Sequence, residues 1–497
     1  MRGTWVWVCV LVGAAAIAAG QSRDENWNKC KADDPDTSIA GCTALIQSGQ
    51  ESIADQASAY YNRGIAYHDK KDLDAAMRDL NQALSLKADF PGALNSRGNV
   101  YADLKETDRA IADYNEAIRL DPNHKLAYYN RGNAYGDKGE YRTAIADYDK
   151  YLELDSSDPD GFNNRGHAYM MSGDLDQAES NFNAALRLDA HHANATLNLG
   201  IVYNRRHKYD QGIEQFDKYI ALKPHDSEGY GARGDAYRHK MQYEQAIADY
   251  TKGIELNSQY ALAYYNRGVS YSRAGQYDKA IDDFGRYIEL VPKDVDGYSS
   301  RGLAELGKGQ YERAAEDFEK MNEVQPNSQL SFFDRGCTHL LQAQTREAIA
   351  DFQLSIAVDP KASNAVYATL WMHIAKKRLG DDDTDSMAQE AEKADLTLWP
   401  GPALKMFLDE MTGDQVLAAA ADANPQTQTS QLCEGNFYTA EYALMHQRRA
   451  AAETEFRAAR DACPKDYVEY AASLLELKKM SAAAAPRPAV HSEARKP

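Results

Sequence analysis

The pentapeptide YYNRG occurs three times in the chain, at Tyr60–Gly64, Tyr128–Gly132 and Tyr264–Gly268. The copies start 68 and 136 residues apart, which are two and four multiples of 34 residues. Recurrence at a fixed period of roughly 20 to 50 residues is typical of architectures that stack one supersecondary unit many times. The pentapeptide therefore defines a 34-residue frame that extends in both directions along the chain.

Nine repeats of 34 residues fill 57–362 without an insertion when the frame begins at Ala57. We number the repeats from that residue, and number positions within each repeat in the same way. Position 8 is glycine in all nine repeats, position 20 is alanine or glycine, and position 24 is aromatic in eight. Small residues at positions 8 and 20 allow two amphipathic helices to approach closely, with the aromatic ring beside them. One helix pair cannot bury its own apolar face, so neighbouring repeats must stack.

This pattern resembles the tetratricopeptide repeat, whose signature places small, aromatic and proline residues at the same spacing. The resemblance covers 57–362, and proline closes five of these repeats, at Pro122, Pro224, Pro292, Pro326 and Pro360. It implies an all-α fold, a right-handed α-solenoid in which the first helices of the pairs line a concave groove.

Four cysteines lie at matching points of two flanking repeats. In the frame that precedes repeat 1, Cys30 occupies position 8 and Cys42 position 20, where the two helices approach most closely. In the last repeat, Cys433 begins the first helix and Cys463 ends the second, and these ends are adjacent in an antiparallel hairpin. We predict that both pairs are disulfides, as is typical of exported proteins. The alternative is that these cysteines only pack. Cys337 is left free and buried.

The first residues are typical of a secretory signal peptide. Arg2 precedes about fifteen apolar or small residues, and a small-residue cleavage zone follows near Ala18–Gly20. We therefore expect a periplasmic or secreted protein, with no membrane contact beyond this segment. The alternative is an uncleaved membrane anchor, although the segment is short for a spanning helix.

The frame and its flanks predict six segments along the chain. They are a signal peptide at 1–20, an N-terminal repeat-like hairpin at 23–56, nine tandem repeats at 57–362, a degenerate helical repeat and linker at 363–432, a C-terminal repeat with a capping helix at 433–480, and a disordered tail at 481–497. The stretches CEGNFYTAEYALM and KDYVEYAASLLELKK are similar to the C-terminal ends of some bacterial cell-envelope tetratricopeptide proteins. That resemblance implies a role in assembly or maintenance of the cell envelope.

The composition argues against one class of partner. The 497 residues carry a formal net charge of -19, with 43% hydrophobic and 26% charged residues. These fractions are those of a folded, soluble protein. Nucleic-acid binders carry a basic face, so we expect no nucleic-acid partner. The sequence contains no phosphate-binding loop, zinc-protease motif or nucleophile elbow, so we expect no enzyme activity, no metal and no cofactor.

Position 7, inside the quoted pentapeptide, is arginine in eight repeats, and position 23 on the second helix is aspartate in seven of those eight. In repeat 5 both charges are absent, since Leu199 stands opposite Gln215. An unpaired buried charge is costly, so their joint loss predicts an ion pair between the two helices of each repeat. The alternative is that the arginines bind anions in the groove. The predicted pairs are Arg63–Asp79, Arg97–Asp113, Arg131–Asp147, Arg233–Asp249, Arg267–Asp283, Arg301–Asp317 and Arg335–Asp351, with Arg165 opposite Asn181.

Position 6 precedes each arginine and is asparagine in five repeats. In the superhelical repeats of O-linked N-acetylglucosamine transferase, asparagines at the matching position form a ladder that holds the backbone of an extended peptide. An amide suits this task because it both donates and accepts hydrogen bonds. The resemblance implies a peptide-binding groove, which Ala232 and Asp334 interrupt; the alternative is that the asparagines only solvate a helix face. The predicted groove residues are Asn62, Asn95, Asn99, Asn130, Asn133, Asn164, Asn198, Asn266, Tyr61, Tyr129, Tyr265, Arg205, Arg238 and Arg273.

The groove changes sign along its length. Repeats 1 to 3 carry Asp69, Asp103 and Asp137 near the end of the first helix. Repeats 5 to 7 carry basic residues there, at Arg205, Arg206, Arg238, His239 and Arg273. We therefore expect acidic residues of a bound peptide to lie near repeats 5 to 7.

These patterns favour a non-enzymatic scaffold that binds extended peptide segments of partner proteins. Two other functions stay open. One is an accessory factor that tethers an envelope hydrolase or protease. The other is a self-associating structural protein, for example a homodimer, whose groove is filled by its own tail or by a second subunit.

Overall fold

The computed structural model describes residues 22–381, 383–422 and 424–484, which form helices and turns without a strand. The prediction of an all-α solenoid of helix pairs is confirmed. The chain divides into two compact units, Met1–Lys223 and Pro224–Pro497, which we call the first and the second unit.

The first unit contains the hairpin that precedes the repeats, followed by repeats 1 to 5. Its helices are α1 (22–30), α2 (Pro35–Ser48), α3 (Ile53–Asp69), α4 (Leu73–Leu86), α5 (Pro91–Asp103), α6 (Thr107–Leu120), α7 (Lys125–Asp137), α8 (Tyr141–Leu154), α9 (Pro159–Ser172), α10 (Leu175–Leu188), α11 (Ala193–Arg205) and α12 (Tyr209–Leu222). From α3 onward, odd-numbered helices are the first helices of their repeats. Each second helix packs against its own first helix and, within the unit, against the first helix of the next repeat.

The second unit contains repeats 6 to 9 and the C-terminal region. The repeats consist of α13 (Ser227–His239), α14 (Tyr243–Leu256), α15 (Ala261–Ala274), α16 (Tyr277–Leu290), α17 (Val295–Lys308), α18 (Tyr311–Val324), α19 (Gln329–Leu341) and α20 (Thr345–Val358). They are followed by α21 (Ser363–Leu379), α22 (Thr384–Ala391), α23 (Gly401–Phe407), α24 (Gly413–Ala419), α25 (Pro425–Met445), α26 (Arg449–Ala462) and α27 (Val468–Ala484). Helix α21 packs on α20 as the first helix of a degenerate repeat.

The ends of the C-terminal region differ from the predicted segments. The last hairpin begins at Pro425 rather than at Cys433, because α25 is longer than a repeat helix. The last helix extends to Ala484, so the first four residues of the predicted tail are helical. The predicted signal peptide at 1–20 and the rest of the predicted tail, 485–497, lie outside the described residues.

The two helices of a repeat approach closely because position 8 has no side chain. A Cβ atom added at Gly98 would lie 2.4 Å from Cε1 of Tyr114, the position 24 residue of the same repeat. At Gly200 the corresponding distance to Cε1 of Phe216 would be 2.5 Å. Both rings are buried. The glycine therefore provides the space that the aromatic ring occupies between the helices.

The arginine of position 7 binds the second helix of its own repeat. In repeat 3, Arg131 Nε donates to Asp147 Oδ2 at 2.8 Å, and Nη2 donates to Oδ1 at 2.6 Å. Asp147 is only 5% exposed, so its carboxylate depends on this partner. In repeat 4, Arg165 Nε donates to Asn181 Oδ1 at 2.8 Å. The two-point geometry recurs at Arg63–Asp79, Arg97–Asp113, Arg233–Asp249, Arg267–Asp283, Arg301–Asp317 and Arg335–Asp351.

Several of these arginines also bind the preceding repeat, a contact that the sequence pattern did not predict. Arg97 Nη1 donates to Asn81 Oδ1 at 2.8 Å, and Arg131 Nη1 donates to Asn115 Oδ1 at 2.6 Å. The acceptor is at position 25 of the preceding repeat in both cases. The same contact occurs at Arg165–Asp149 and Arg267–Thr251. Such an arginine joins three helices, a task that suits the fixed fork of its five N–H donors.

Both predicted disulfides are present, Cys30–Cys42 in the first unit and Cys433–Cys463 in the second. The free thiol of Cys337 is buried. In the second unit, one apolar core runs from repeats 8 and 9 into the C-terminal helices. At its centre Trp371 stacks on Phe437, with ring centroids 5.0 Å apart. The C-terminal helices are therefore an integral part of this unit.

Candidate protein-binding surface

The first helices of neighbouring repeats contact each other in the first unit, which places them on the inner side of the stacked pairs. We call the surface formed by positions 5, 6 and 9 of repeats 1 to 5 the inner face of the first unit. Its residues are Tyr61, Asn62, Ile65, Asn95, Ser96, Asn99, Tyr129, Asn130, Asn133, Asn163, Asn164, His167, Leu197, Asn198 and Ile201. Asparagine is the commonest residue of this face, so the face is rich in hydrogen-bonding groups.

The position 6 asparagines donate to the preceding repeat. Asn130 Nδ2 donates to Asn95 Oδ1 at 3.0 Å, and Asn198 Nδ2 donates to Asn163 Oδ1 at 3.1 Å. These bonds fix the orientation of both amides. The Oδ1 atoms of Asn130 and Asn198 have no hydrogen-bond donor among the described residues, so each half-buried side chain keeps an acceptor for a ligand.

The position 9 asparagines have the opposite polarity. Asn133 Oδ1 accepts from Tyr148 OH at 2.7 Å and from Asn164 Nδ2 at 3.1 Å. In repeat 2, Asn99 Oδ1 accepts from Tyr114 OH at 2.8 Å. Because its oxygen atom is occupied, Asn99 keeps its Nδ2 donor for a ligand. Asn133 also forms a side-chain hydrogen bond with Tyr129. The inner face therefore presents both donors and acceptors, held in place by neighbouring side chains.

We call the hydrogen-bonded asparagines of the inner face the ladder. Two predicted aromatic residues, Tyr129 and Tyr61, lie beside it, and its first asparagine reaches the N-terminal hairpin. Asn164 Nδ2 also donates to Tyr129 OH at 2.9 Å. Tyr61 packs on Phe90, with ring centroids 4.8 Å apart. At the N-terminal end, Asn62 Nδ2 lies 3.8 Å from the disulfide sulfur of Cys30.

A cavity of about 460 Å³ opens on the inner face beside the first helices of repeats 1 to 3. Two carboxylates of the acidic series line it. Asp103 Oδ2 lies 3.1 Å from His68 Nε2 and 3.3 Å from Lys71 Nζ, whereas Asp137 is exposed. The other polar residues of the lining are His68, Asn99, Lys105, Thr107, Tyr114, Asn130 and Asn133. The cavity therefore combines amide groups with negative charge.

The second unit has a shorter polar ladder of its own. Asn266 Nδ2 donates to Asp235 Oδ1 at 3.0 Å, and Tyr250 OH donates to the same oxygen at 2.6 Å. In repeat 8, Ser300 Oγ donates to Tyr265 OH at 3.2 Å. The polar ladder thus extends to repeat 8 before the next position 6 residue, an aspartate, ends it.

The inner face of repeats 7 to 9 is covered by residues 425–484, which we call the C-terminal segment. Helix α27 packs against α17 and α19, the first helices of repeats 8 and 9. The turn between α26 and α27 reaches repeat 7, where Arg273 Nε donates to Asp466 Oδ2 at 2.6 Å. Beside it, Tyr277 OH donates to the carbonyl oxygen of Lys465 at 2.9 Å.

These contacts correct the predicted role of Arg273. The sequence suggested that Arg273 holds an acidic residue of a bound peptide, but the chain's own Asp466 takes that place. The reason is that the C-terminal segment folds back on the repeats, so the ligand is supplied internally. Arg273 and Asp466 are each about one-fifth exposed at their side chains, at 20% and 19%.

The other two predicted groove arginines are also bound within their own units. Arg205 Nη1 donates to the carbonyl oxygen of Met170 at 3.1 Å, and the side chain is otherwise exposed. Arg238 Nη2 lies 3.3 Å from His239 Nε2 and 3.8 Å from Asp235 Oδ1. Their charges are therefore partly engaged before any peptide binds.

Sequence reasoning missed three carboxyl groups buried under the C-terminal segment. Asp334 of α19, Glu434 of α25 and Glu469 of α27 are 5%, 8% and 5% exposed. Burial raises the pKa of Asp334 to about 7. Burial, with repulsion from Glu434 and Asp334, raises the pKa of Glu469 to about 8. One signal was visible, since Asp334 replaces the ladder asparagine of repeat 9.

Two searches of the described residues bear on other kinds of site. Between residues 22 and 484, leaving out 382 and 423, no group of three or more His, Cys, Asp and Glu side chains is placed to hold a metal ion. Over the same residues, no helix combines the length and apolar character needed to span a membrane.

Comparison with known families identifies the repeats. A family model described as TPR repeat matches residues 98–139, 132–173 and 234–275. Two models described as tetratricopeptide repeat match 57–90 and 261–294, and 163–227. These matches identify tetratricopeptide repeats within residues 57–294 of the chain.

Many solved structures are similar to parts of the chain. MamA is 26% identical, over 34% of this chain and 92% of MamA, with a TM-score of 0.32. YrrB, described as a TPR protein with an unusual peptide-binding site, is 23% identical, over 37% of this chain and 95% of YrrB, with a TM-score of 0.32. A tetratricopeptide repeat protein from Parabacteroides merdae is 20% identical, over 50% of this chain and 99% of its own, with a TM-score of 0.40. No match was found among the curated proteins.

Proposed function

We propose that the protein is a non-enzymatic scaffold that binds an extended segment of a partner protein on the inner face of the first unit. One observation carries the proposal. The asparagines of repeats 2 to 5 are fixed by side-chain hydrogen bonds, yet they leave the Oδ1 atoms of Asn130 and Asn198 and the Nδ2 atom of Asn99 for a ligand.

This pattern suits the backbone of an extended peptide. A peptide strand presents N–H donors and C=O acceptors along its length, and each needs a partner when water is removed. Amides at fixed positions satisfy both kinds of group without selecting the peptide's side chains. Their fixed orientation also reduces the ordering cost of binding. The face would therefore bind segments of varied sequence with modest affinity per contact.

The charge of the face suggests one preference. Asp103 and Asp137 line the cavity of repeats 1 to 3, and Asp69 belongs to the same series. A lysine or arginine of the partner would be favoured there. The basic partner of Asp103 in the free protein, Lys71, is exposed, so a ligand cation can replace it at little cost.

We further propose that the protein acts in an oxidising compartment of the cell envelope. Two disulfides in one chain support this location, since such bonds are rare in the cytosol. The signal-type sequence at the N-terminus supports it as well. In that setting the partner would be another envelope protein, and a tethered hydrolase or protease is one such partner.

The proposal can be tested with peptides selected on the protein itself. Random 15-residue peptides are selected on the immobilised full-length chain, and the enriched peptides are titrated by calorimetry. Asn130, Asn164 and Asn198 are then replaced together by alanine. Several backbone bonds act together, so affinity should fall by ~2–4 kcal/mol.

A matched control separates binding from stability. Asn81→Ala and Asn115→Ala also remove side-chain hydrogen bonds between repeats. Asn81 and Asn115 lie on second helices, outside the inner face, where they accept from Arg97 and Arg131. The control variant should lose stability and keep its affinity. If the triple-alanine protein is folded and binds the selected peptides as tightly as the unchanged chain, the ladder does not bind peptides.

A further inference from the structure

Three buried carboxyl groups meet at the junction between repeat 9 and the C-terminal segment. Asp334 occupies position 6 of repeat 9 on α19, while Glu434 and Glu469 belong to α25 and α27 of the segment. Carboxyl groups are seldom buried without a basic partner, because an isolated buried charge is costly. Their joint burial therefore requires an explanation.

Among the described residues, no positively charged side chain is hydrogen-bonded to any of the three groups. Glu434 Oε2 accepts from Tyr367 OH at 2.7 Å and from Trp399 Nε1 at 2.5 Å. The other titratable groups that face the three carboxyls are Cys337, Tyr438 and Tyr467. All are neutral near pH 7.

Buried polar atoms at this junction that have no hydrogen-bond partner among the described residues include Asp334 Oδ2, Tyr438 OH and Trp371 Nε1. A protonated carboxyl can donate as well as accept, so protonation would improve the hydrogen bonding of Asp334.

Ionisation would place up to three negative charges in one buried junction. One charge would lie on repeat 9 and two on the segment that covers it, so their repulsion acts between the segment and the repeat. The pKa of Asp334 is raised to about 7 and that of Glu469 to about 8, chiefly by burial. Burial also raises the pKa of Glu434.

The direction of the effect follows from proton binding. Because burial raises these pKa values above those of exposed carboxyls, the docked state binds more protons than the undocked state. Docking is then favoured fully at pH values below the ordinary carboxyl range. It weakens as pH rises from that range through about 7 and 8.

We propose that the C-terminal segment is a proton-dependent cover of repeats 8 and 9, docked while Asp334, Glu434 and Glu469 are neutral and loosened when they ionise. The contact at the other end of the segment, Arg273 with Asp466, joins opposite charges and is not weakened by ionisation. Loosening therefore begins at repeats 8 and 9. It would uncover the inner face of repeats 8 and 9, where Leu303 and Phe333 lie beside Asp334.

The buried thiol of Cys337 reports directly on this cover. It is 0% exposed, and it lies beside Asp334 and Glu469. The full-length protein is treated with dithiodipyridine, and labelling of the Cys337 peptide is followed by mass spectrometry. The rate at each pH is divided by the rate for the denatured chain at that pH, which removes the ionisation of the thiol itself. Between about pH 6 and pH 9 the ratio should rise by about tenfold or more.

Neutral variants identify the groups responsible. In the double variant Asp334→Asn/Glu469→Gln, the Cys337 labelling ratio should rise only about threefold or less between about pH 6 and pH 9, since the two charges cannot form. Glu305→Gln is the matched control. Glu305 is also buried with a pKa raised to about 7, but its charged neighbours are Asp317, Arg301 and others of repeat 8. The rise should persist in that variant.

A second measurement covers the case in which the double variant does not fold. Hydrogen exchange of the unchanged chain should show α27 losing protection over the same pH range, after correction for the intrinsic exchange rate. An equal Cys337 ratio at both pH values, with unchanged protection of α27, would overturn the proposal. So would a rise in Asp334→Asn/Glu469→Gln as large as that of the unchanged chain.

Discussion

Repeat 3 and repeat 9 share one frame but use their inner faces differently. Both carry the arginine of position 7 with an aspartate on the second helix, and both place glycine against an aromatic ring. Repeat 3 then has Tyr129 and Asn130 at positions 5 and 6, whereas repeat 9 has Phe333 and Asp334. The first pair belongs to a polar ladder that no segment covers among the described residues of the first unit. The second lies beneath the chain's own C-terminal segment.

The comparison teaches that different positions of the repeat have different tasks. Positions 7, 8, 23 and 24 build the helix pair and vary little, the exceptions being Leu80, Asn181, Leu199 and Gln215. Positions 5, 6 and 9 vary more from repeat to repeat, although the position 9 asparagines also accept from the second helix of their own repeat. In repeats 8 and 9 these positions hold Leu303, Phe333 and Cys337 beside Ser299, Ser300 and Asp334. The C-terminal segment covers the apolar members.

The largest expected effect concerns the apolar core that joins repeats 8 and 9 to the C-terminal helices of the second unit. Trp371 is 1% exposed and stacks on Phe437, so Trp371→Ala should destabilise the second unit by roughly 3–5 kcal/mol. Tyr129→Ala on the first unit's inner face removes a half-buried ring and should cost much less. Hydrogen exchange of the full chain, resolved by peptide, measures each unit separately. Equal losses from the two substitutions would contradict the distinction between covered and uncovered faces.

The next largest effect concerns the arginine–aspartate pair that repeats 3 and 9 share. Arg131→Leu or Asp147→Leu alone should destabilise by about 3 kcal/mol, since each leaves a buried charge without its partner. The double substitution should cost clearly less than the sum, and the corresponding pair in repeat 9 should behave alike. Chemical denaturation of a double-mutant cycle measures the coupling. Additive losses would show that the pair does not hold the helices together.

A smaller effect is a difference between the two units in how their stability depends on pH. The second unit contains carboxyls whose pKa is raised by burial, such as Asp334 and Glu469, so its folded state binds extra protons and loses stability as pH rises. We expect a loss of about 2 kcal/mol or more between about pH 5 and pH 8. In the first unit, the hydrogen bond from Lys125 helps to lower the pKa of the half-buried Asp155 to about 2, so that group causes no loss of stability as pH rises.

Native-state hydrogen exchange over this pH range would measure both units in one experiment. The result that contradicts the account is a second unit whose free energy of opening stays constant or rises with pH. A fall of the same size in both units would also show that the buried carboxyls of repeat 9 are not responsible.

The smallest effect concerns the ladder as a structural feature. Asn130→Ala removes the bond to Asn95 and Asn266→Ala removes the bond to Asp235, so each should cost about 1 kcal/mol. Thermal unfolding monitored by circular dichroism measures the loss of stability in each variant. A loss confined to one of the two variants would show that the ladder is structural in that unit only.

Much of the fold followed from local spacing. The 34-residue frame predicted the helix pairs, because glycine, alanine and aromatic positions recur within each repeat. The joint loss of both charges in repeat 5 predicted the pairing of arginine with aspartate. The positions of Cys30 and Cys42 predicted their disulfide. Each of these inferences concerns residues that lie within one repeat of each other.

The features that the sequence did not reveal depend on distant contacts. Arg273 meets Asp466 across 193 residues, and no repeat frame relates the two. The ladder asparagines were expected to face a ligand alone, but Asn130 and Asn198 also bind the preceding repeat. Asp334 appeared only as a break in the ladder, since its burial depends on where the C-terminal segment docks.

The central claim is that the first unit binds a partner while the C-terminal segment occupies the second. A photo-crosslinking residue, benzoylphenylalanine, is placed at position 9 of an uncovered repeat, Asn133, or of a covered repeat, Leu303. Each protein is irradiated with a peptide selected on the unchanged chain, at about pH 6, where the cover is docked. The account predicts a crosslink at Asn133 in at least about tenfold higher yield than at Leu303. Equal yields, or a crosslink at Leu303 alone, would contradict it.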